Sequence, residues 1–267
     1  MGIRHDVGAE PLAEEEFGSL DYRVTGLAFD IHRDFGPLCD EAIYQAELAH
    51  RCKEAGIAQV RTEAPIHVEY RTFRKTYYVD MLVGNAMLYE LKTVRALTGE
   101  HRMQALNYLL LTGLRHAKLI NLRPPSVELR FVSTRLTPQK RFAYTADDSQ
   151  WQDLDDDGAW LKELMLDLLA EWGAFLDTAL FYDAIEHFRG GHENVAKQIE
   201  MVAGARSIAT QRAHLLNPAT ALRISSVTQD PSSYEHHLRR FLSHTHLRAI
   251  QWINFNHHTI LLKTLLR

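Results

Sequence analysis

Residues 80–92 read DMLVGNAMLYELK, and this stretch decides the fold. Its first half completes a run of β-branched, aromatic and long apolar residues, 76–83 (TYYVDMLV), and its second half, 86–92 (AMLYELK), has the same character. Gly84 and Asn85 between them form a hairpin-turn signal, so the two strands are expected to pair antiparallel. Side chains alternate along a strand, which puts Glu90 and Lys92 on one face and Leu91 on the other, in the core. Asp80 stands in an otherwise apolar strand, where a carboxylate is costly unless it is paired or coordinated. Two carboxylates on adjacent strand ends can hold a hard divalent cation such as Mg²⁺ or Mn²⁺. A lysine beside them can orient or deprotonate a water, or stabilise charge that develops on the reacting group. A bare Glu-x-Lys is more often a solvated strand end, and only its surroundings raise this one above that.

Upstream, residues 36–44 (GPLCDEAIY) open a helix expected to run to about Gly56. Downstream, residues 99–113 (GEHRMQALNYLLLTG) read as a second helix, on which His101, Gln104 and Tyr108 are spaced i, i+3, i+7 and share one face. A further strand is expected at 118–122. The order is therefore helix, hairpin, helix, strand, and the expected class is α/β (α+β), a mixed sheet flanked by helices.

These residues together resemble the GxxExxY proteins of the PD-(D/E)xK nuclease superfamily over about residues 20–136. The resemblance rests on Glu41-Ala42-Ile43-Tyr44, Asp80, the Glu90-Leu91-Lys92 triplet, Gln104, Asn107-Tyr108-Leu109 and Leu119-Ile120-Asn121. One departure is visible, because Leu38 stands three residues before Glu41, where the family's motif has glycine. The resemblance implies a restriction-endonuclease-like core, with Asp80 and Glu90 binding metal and Lys92 as catalytic lysine. Glu41 would be a helix-borne acid reaching the same cleft, and Gln104 and Tyr108 would complete the site. The blander alternatives are a solvated helix glutamate for Glu41 and a core aromatic for Tyr108.

Comparing the chain with itself shows an internal repeat. Residues 112–121 (TGLRHAKLIN) align without a gap on 245–254 (THLRAIQWIN), with Thr, Leu, Arg, Ile and Asn identical at an offset of 133. At that offset Tyr108-Leu109 meets Phe241-Leu242 and residues 127–130 meet 260–263, while Tyr44 pairs with Tyr182 within a few residues of it. The second half is thus expected to be a diverged copy of the first, with a coincidental helical domain as the alternative. Its chemistry is changed: Glu90 falls on Arg223, Lys92 on Ser225, Gln104 on His237, and Asp80 on Ala213 or its neighbour His214.

The expected domains are an acidic segment 1–19, a nuclease-like domain 20–146, an acidic linker 147–157 and a non-catalytic repeat 158–267. Charge follows these divisions, with net −4, +5, −6 and +1 in turn, giving −4 for the 267 residues. Within the mildly basic first domain, Arg71, Arg74, Lys75 and Arg123 are candidate phosphate contacts, with Arg130, Arg135, Lys140 and Arg141 behind them. Their alternative is an ordinary solvated surface, and the balance is too weak to imply tight sequence-independent binding. Cys39 and Cys52 suit neither a zinc motif nor an iron–sulfur cluster and are expected to be reduced. Nine of the 15 histidines lie in the second half, but adjacent histidines point apart on a helix, so a metal site there is disfavoured. With no apolar leader and no stretch of about 20 apolar residues, the chain is expected to be cytoplasmic with no membrane partner.

The leading expectation is a Mg²⁺- or Mn²⁺-dependent hydrolase of nucleic-acid phosphodiesters, DNA or RNA, with one intact site and an internal pseudo-dimer, homo-oligomerisation being left open. The first rival is a non-catalytic scaffold that binds nucleic acid or protein. The second is a buried salt-bridge network of Asp80, Glu90 and Lys92 whose value is purely structural.

Overall fold

The structure, a computed structural model, describes residues 2–8 and 14–267. The chain forms two compact units, one holding the sequence through Glu69 together with Arg74–Pro138, the other Tyr70–Phe73 together with Gln139–Arg267.

In the first unit the elements are β1 (Ile3–His5), α1 (Glu14–Phe35), α2 (Glu41–Glu54), β2 (Val60–Tyr70), β3 (Phe73–Val83), β4 (Met87–Lys92), α3 (Gly99–Thr112), β5 (His116–Asn121) and β6 (Glu128–Ser133). They build a six-stranded sheet in the order β1-β2-β3-β4-β5-β6. β3 and β4 pair antiparallel across Gly84 and Asn85, both in the left-handed region at φ 61 and 53, the backbone of a hairpin turn whose twist matches its strands. β4 and β5 run parallel, which requires a crossover, and α3 supplies it. Gly113 ends α3 in the left-handed conformation at φ 76, its N–H bonding the Leu109 carbonyl.

One face of this sheet carries Met81, Val83, Tyr89 and Leu91, packed beneath Val24, Ala28 and Ile31 of α1 and Tyr44, Leu48 and Cys52 of α2. The apolar positions of α1 recur at four- and three-residue steps, the helical stripe that buries one side and leaves the other wet. Cys52 lies inside this cluster, where burial pushes its thiol up to about 11.

Three expectations are corrected. The helix expected from residue 36 begins only at Glu41, so Cys39 lies in the turn before it, where Gly36 adopts φ 68. Part of the acidic segment 1–19, namely residues 1 and 9–13, lies outside the described residues; of the rest, 3–5 form β1 and 14–19 begin α1. The aspartate run 147–157 is no free linker but part of the second unit. A short turn, α4 (Pro138–Arg141), precedes β7 (Thr145–Gln150), which pairs parallel with the last strand, while Asp155 caps helix α5 (Asp156–Trp172) by accepting from the Gly158 N–H.

The second unit continues with α6 (Thr178–Phe188), α7 (His192–Val195), β8 (Ala196–Ala203), β9 (Arg206–Asn217), β10 (Thr220–Ser225), α8 (Pro231–Ser243), β11 (Ala249–Asn256) and β12 (Thr259–Leu266). Its sheet order is β7-β12-β11-β10-β9-β8. β9 and β10 pair antiparallel, β10 and β11 parallel with α8 between them, and β11 and β12 antiparallel. That is the pattern of β3 to β6. The register agrees residue for residue, since Met87 faces His116 and Lys92 faces Asn121, while Thr220 faces Ala249 and Ser225 faces Asn254. Side-chain clamps agree as well. Asn121 accepts from the Val94 N–H and donates to its carbonyl, and Asn254 does the same for Val227. The sixth strand differs, β1 adding beside β2 in one sheet and β7 beside β12 in the other. Among the described residues no helix is long and apolar enough to cross a membrane.

Candidate active site

Strand pleat and hairpin register bring the acids together. Met81 faces Tyr89, which sets Asp80 level with Glu90 on the neighbouring strand. The two are tied crosswise: Asp80 Oδ2 accepts from the Leu91 N–H at 2.8 Å, and Glu90 Oε1 accepts from the Asp80 N–H at 3.4 Å. Lys92, two residues along β4 and therefore on the same face as Glu90, reaches back with its ammonium. Its Nζ lies 3.2 Å from Glu90 Oε2, 3.6 Å from Asp80 Oδ2 and 3.6 Å from Glu41 Oε1. Glu41 is the first residue of α2, so the helix start delivers it to the strand ends. Tyr44, fully buried, fixes that start by donating from its hydroxyl to the Gly36 carbonyl and accepting from the Cys39 N–H. Leu38, at the motif's glycine position, is 82 % exposed and meets no steric demand there.

The group is short of positive charge. Glu90 is 0 % exposed, and burial pushes its carboxyl up to about 8, with the Asp80 charge adding to the rise and Lys92 opposing it. Asp80 is likewise raised by burial, against the pull of Lys92 and the Leu91 N–H, with Glu41 and Glu63 pushing further. For Lys92, burial works against the ammonium, yet the carboxylates of Glu90, Asp80 and Glu41 outweigh it and hold its pKa above the usual lysine range.

Gln104 and Tyr108 also arrive at this site. Gln104 Nε2 donates to the Tyr108 hydroxyl at 3.1 Å, and that buried hydroxyl feels the charges of Glu90, Asp80 and Lys92. His101 instead closes the N-terminus of α3 in a capping box with Thr98.

Two site neighbours were not anticipated. Gln45, one helical turn after Glu41, donates to the Asp80 carbonyl at 2.7 Å and to Glu63 at 2.6 Å. The i, i+4 spacing from Glu41 is a signal that could have found Gln45, whereas Glu63 arrives from β2 through a left-handed residue at φ 50 that the sequence does not announce.

The basic candidates do not converge on the site. Arg71 sits at the turn after β2, at φ 51, and pairs with Asp167 at 3.0 Å. Arg74 pairs with Glu69 at 3.0 Å, and Lys75 lies 4.9 Å from the Tyr77 ring centre. Arg123 donates to the carbonyls of Pro37 at 2.9 Å, Thr93 at 3.3 Å and Cys39 at 3.5 Å, so it straps the turn before α2 to the end of β4. Arg141 is buried rather than at the surface, and burial brings its pKa down to about 10.

Among the described residues, no three His, Cys, Asp or Glu side chains form a ready metal cage. The donor chemistry nonetheless fits a divalent cation. Three carboxylates share one ammonium, and burial has raised the two deepest, the signature of a buried anionic set lacking counter-charge. Asp80 and Glu90 are the oxygen donors such an ion would take.

In the second unit the equivalent positions hold no such set. Arg223 occupies the Glu90 register position and Ser225 that of Lys92; with Leu222 facing His214 as Tyr89 faces Met81, Ala213 stands at the Asp80 position. The Ser225 hydroxyl is consumed, donating to Asn254 and accepting from the Trp252 indole, both at 2.8 Å.

No curated protein and no solved structure significantly matches the chain. Residues 19–132, the stretch that carries Glu41, Asp80, Glu90, Lys92, Gln104 and Tyr108, match the family model of the PD-(D/E)XK nuclease superfamily.

Proposed function

We propose that the first unit is a divalent-metal-dependent nuclease of the GxxExxY type, hydrolysing phosphodiester bonds of DNA or RNA at one site. The observation that carries this reading is the convergence of Asp80, Glu90 and Glu41 on the Lys92 ammonium inside the family-matched stretch. Bound Mg²⁺ or Mn²⁺ would supply Lewis acidity toward a phosphoryl oxygen and a more acidic water. Asp80 and Glu90 would hold the ion, their crosswise N–H bonds fixing the oxygens in advance. Lys92, released in part from the acids, would donate to the attacking water or to the phosphoryl oxygen on which charge grows. Glu41 would position Lys92, and the Gln104–Tyr108 pair would wall the cleft on the α3 side.

The second unit is read as a diverged copy of the first. Supporting this are the shared strand directions, the shared register and the paired asparagine clamps. Arg223 and Ser225 stand where the first unit has Glu90 and Lys92, and the reading therefore places catalysis in the first unit alone.

The test is cleavage of end-labelled single- and double-stranded DNA and RNA with Mg²⁺, Mn²⁺ or EDTA. Cleavage that needs the cation and vanishes in Glu90→Gln is the expected result. A folded protein that binds these substrates but cuts none of them would instead favour the scaffold reading.

A further inference from the structure

In the second unit, charge at the site position is reversed rather than merely lost. Arg223 stands where the first unit has Glu90. Its Nε donates to the Tyr234 hydroxyl at 2.7 Å, and its guanidinium carbon lies 5.9 Å from the centre of that ring. Among the described residues, the groups around it are the phenols of Tyr234 and Tyr182 rather than carboxylates.

Two arginines of this unit near the same sheet and helices have carboxylate partners, Arg189 with Asp157 at 2.7 Å and Arg239 with Glu235 at 2.8 Å. Glu235, next to Tyr234 on α8, is itself committed to Lys263 and Arg239. Glu186 is engaged by His192 and His214. The exposed guanidinium is thus oriented through its Nε by the Tyr234 hydroxyl, and among the described residues no carboxylate pairs with it.

A planar fork of N–H donors that is oriented but not neutralised is built for a tetrahedral oxyanion, which it can grip through two parallel bonds. We infer that Arg223, oriented by Tyr234, forms a phosphate-binding site in the second unit, and that its ligand is a backbone phosphate of the nucleic acid bound by the protein. The identity of that ligand rests on the nuclease reading, whereas the site itself rests on the second unit alone. A free phosphate or nucleotide would present the same chemistry.

The experiment uses the full chain in EDTA, so that binding is read without cleavage. Fluorescence anisotropy with labelled single- and double-stranded DNA and RNA is followed across a salt series for wild type, Arg223→Gln and Arg223→Lys, with circular dichroism to verify folding. Arg223→Gln is expected to weaken binding about tenfold and to lower the slope of log K against log salt by about one, as loss of one phosphate contact does. Arg223→Lys should keep the slope but not the full affinity, because a point charge replaces a fork. Tyr234→Phe, which removes the orienting hydroxyl and no charge, should weaken binding at constant slope, and keeps the test alive if Arg223→Gln does not fold. Unchanged affinity and slope in these variants would overturn the site.

Should the wild type bind no nucleic acid in EDTA, the ligand assigned here fails while cation-dependent cleavage still decides the nuclease reading, and inorganic phosphate and a dinucleotide then decide the site by themselves. A rise in the wild-type melting temperature with either ligand, absent in Arg223→Gln, would uphold it. No rise with either would dismiss it.

Discussion

Glu90→Gln is the sharpest probe of the acid cluster, because it changes charge at nearly constant shape in a fully buried place. In the metal-free protein the Glu90 carboxyl is pushed up to about 8 from an ordinary 4.5, first by burial and then by Asp80. An acid whose folded pKa is raised binds its proton more tightly in the native state than in the unfolded chain. Native stability is therefore highest below the unfolded value, falls as pH rises from about 4.5 to about 8, and stays low above that. Each pKa unit is about 1.4 kcal/mol, so the loss across this window is on the order of 5 kcal/mol.

Glutamine does not titrate, so the variant should lack this slope and be the more stable protein near pH 8. Urea unfolding in EDTA at several pH values measures it, with the midpoint compared at constant m. Adding Mg²⁺ or Mn²⁺ should then stabilise the wild type near pH 8, since an ion bound only by the native state adds to its stability, and should do little for Glu90→Gln. Wild type and variant losing the same stability between about pH 5 and about pH 8 would refute the reasoning, because Glu90 would then not be the group that strains the folded state.

Lys92→Met removes the ammonium shared by Glu41, Asp80 and Glu90 and leaves buried acids with no counter-charge. It is expected to cost about 3–5 kcal/mol at neutral pH in EDTA, with stability returning as the acids protonate on acidification, which urea titrations at two pH values would show. Asn121→Ala and Asn254→Ala each strip one partner from the N–H and carbonyl of Val94 and Val227 respectively, so each should destabilise by about 1–3 kcal/mol. Comparable losses in both variants by denaturant unfolding are expected from the shared clamp, and a loss in only one would break the equivalence.

The hairpin at the site was legible because its signals are local: alternation, apolar strand residues and a Gly-Asn turn. Helix α3 was legible for the same reason, ending at Gly113 where the backbone turns left-handed. What escaped the sequence depends on distant partners. Glu15 and Glu16 near the start of α1 look like part of a tail, although carboxylates at a helix start are favourable and Val24, Ala28 and Ile31 further on mark its buried stripe. The aspartates of 147–157 look like a linker, but an edge strand needs only its main chain for pairing and tolerates charge on its exposed side chains. Arg123 looks like a phosphate ligand, and its three carbonyl partners come from two separate loops. Of the site itself, Asp80, Glu90 and Lys92 could be named because strand geometry fixes their facing, whereas Glu63 could not, because a left-handed residue in β2 redirects the strand.

The two units together bear on whether the acid cluster serves the fold. At the end of β4 the Leu91 N–H needs an acceptor, and the Asp80 carboxylate supplies it. At the matching point of β10 the Ile224 N–H has the same need, and the neutral Tyr182 hydroxyl, arriving from α6, accepts it at 2.7 Å. The Asn–Val clamp beyond the strand end recurs in both units, although Asn121 also donates to the Glu128 carboxylate where Asn254 accepts from the Ser225 hydroxyl. At these two points of the second unit the backbone groups are satisfied by neutral side chains alone. In the first unit, by contrast, three carboxylates crowd one ammonium in a place where burial raises the pKa of Asp80 and Glu90, a cost to the metal-free fold that a tyrosine would avoid. A purely structural salt bridge would need one acid for the one ammonium, whereas Lys92 here has two acids with little exposure, Asp80 and Glu90, and the half-exposed Glu41 besides. An excess of two negative charges when all four groups are ionised, with the Asp80 and Glu90 oxygens fixed by backbone N–H groups, is what the divalent cation of the proposed function would complete.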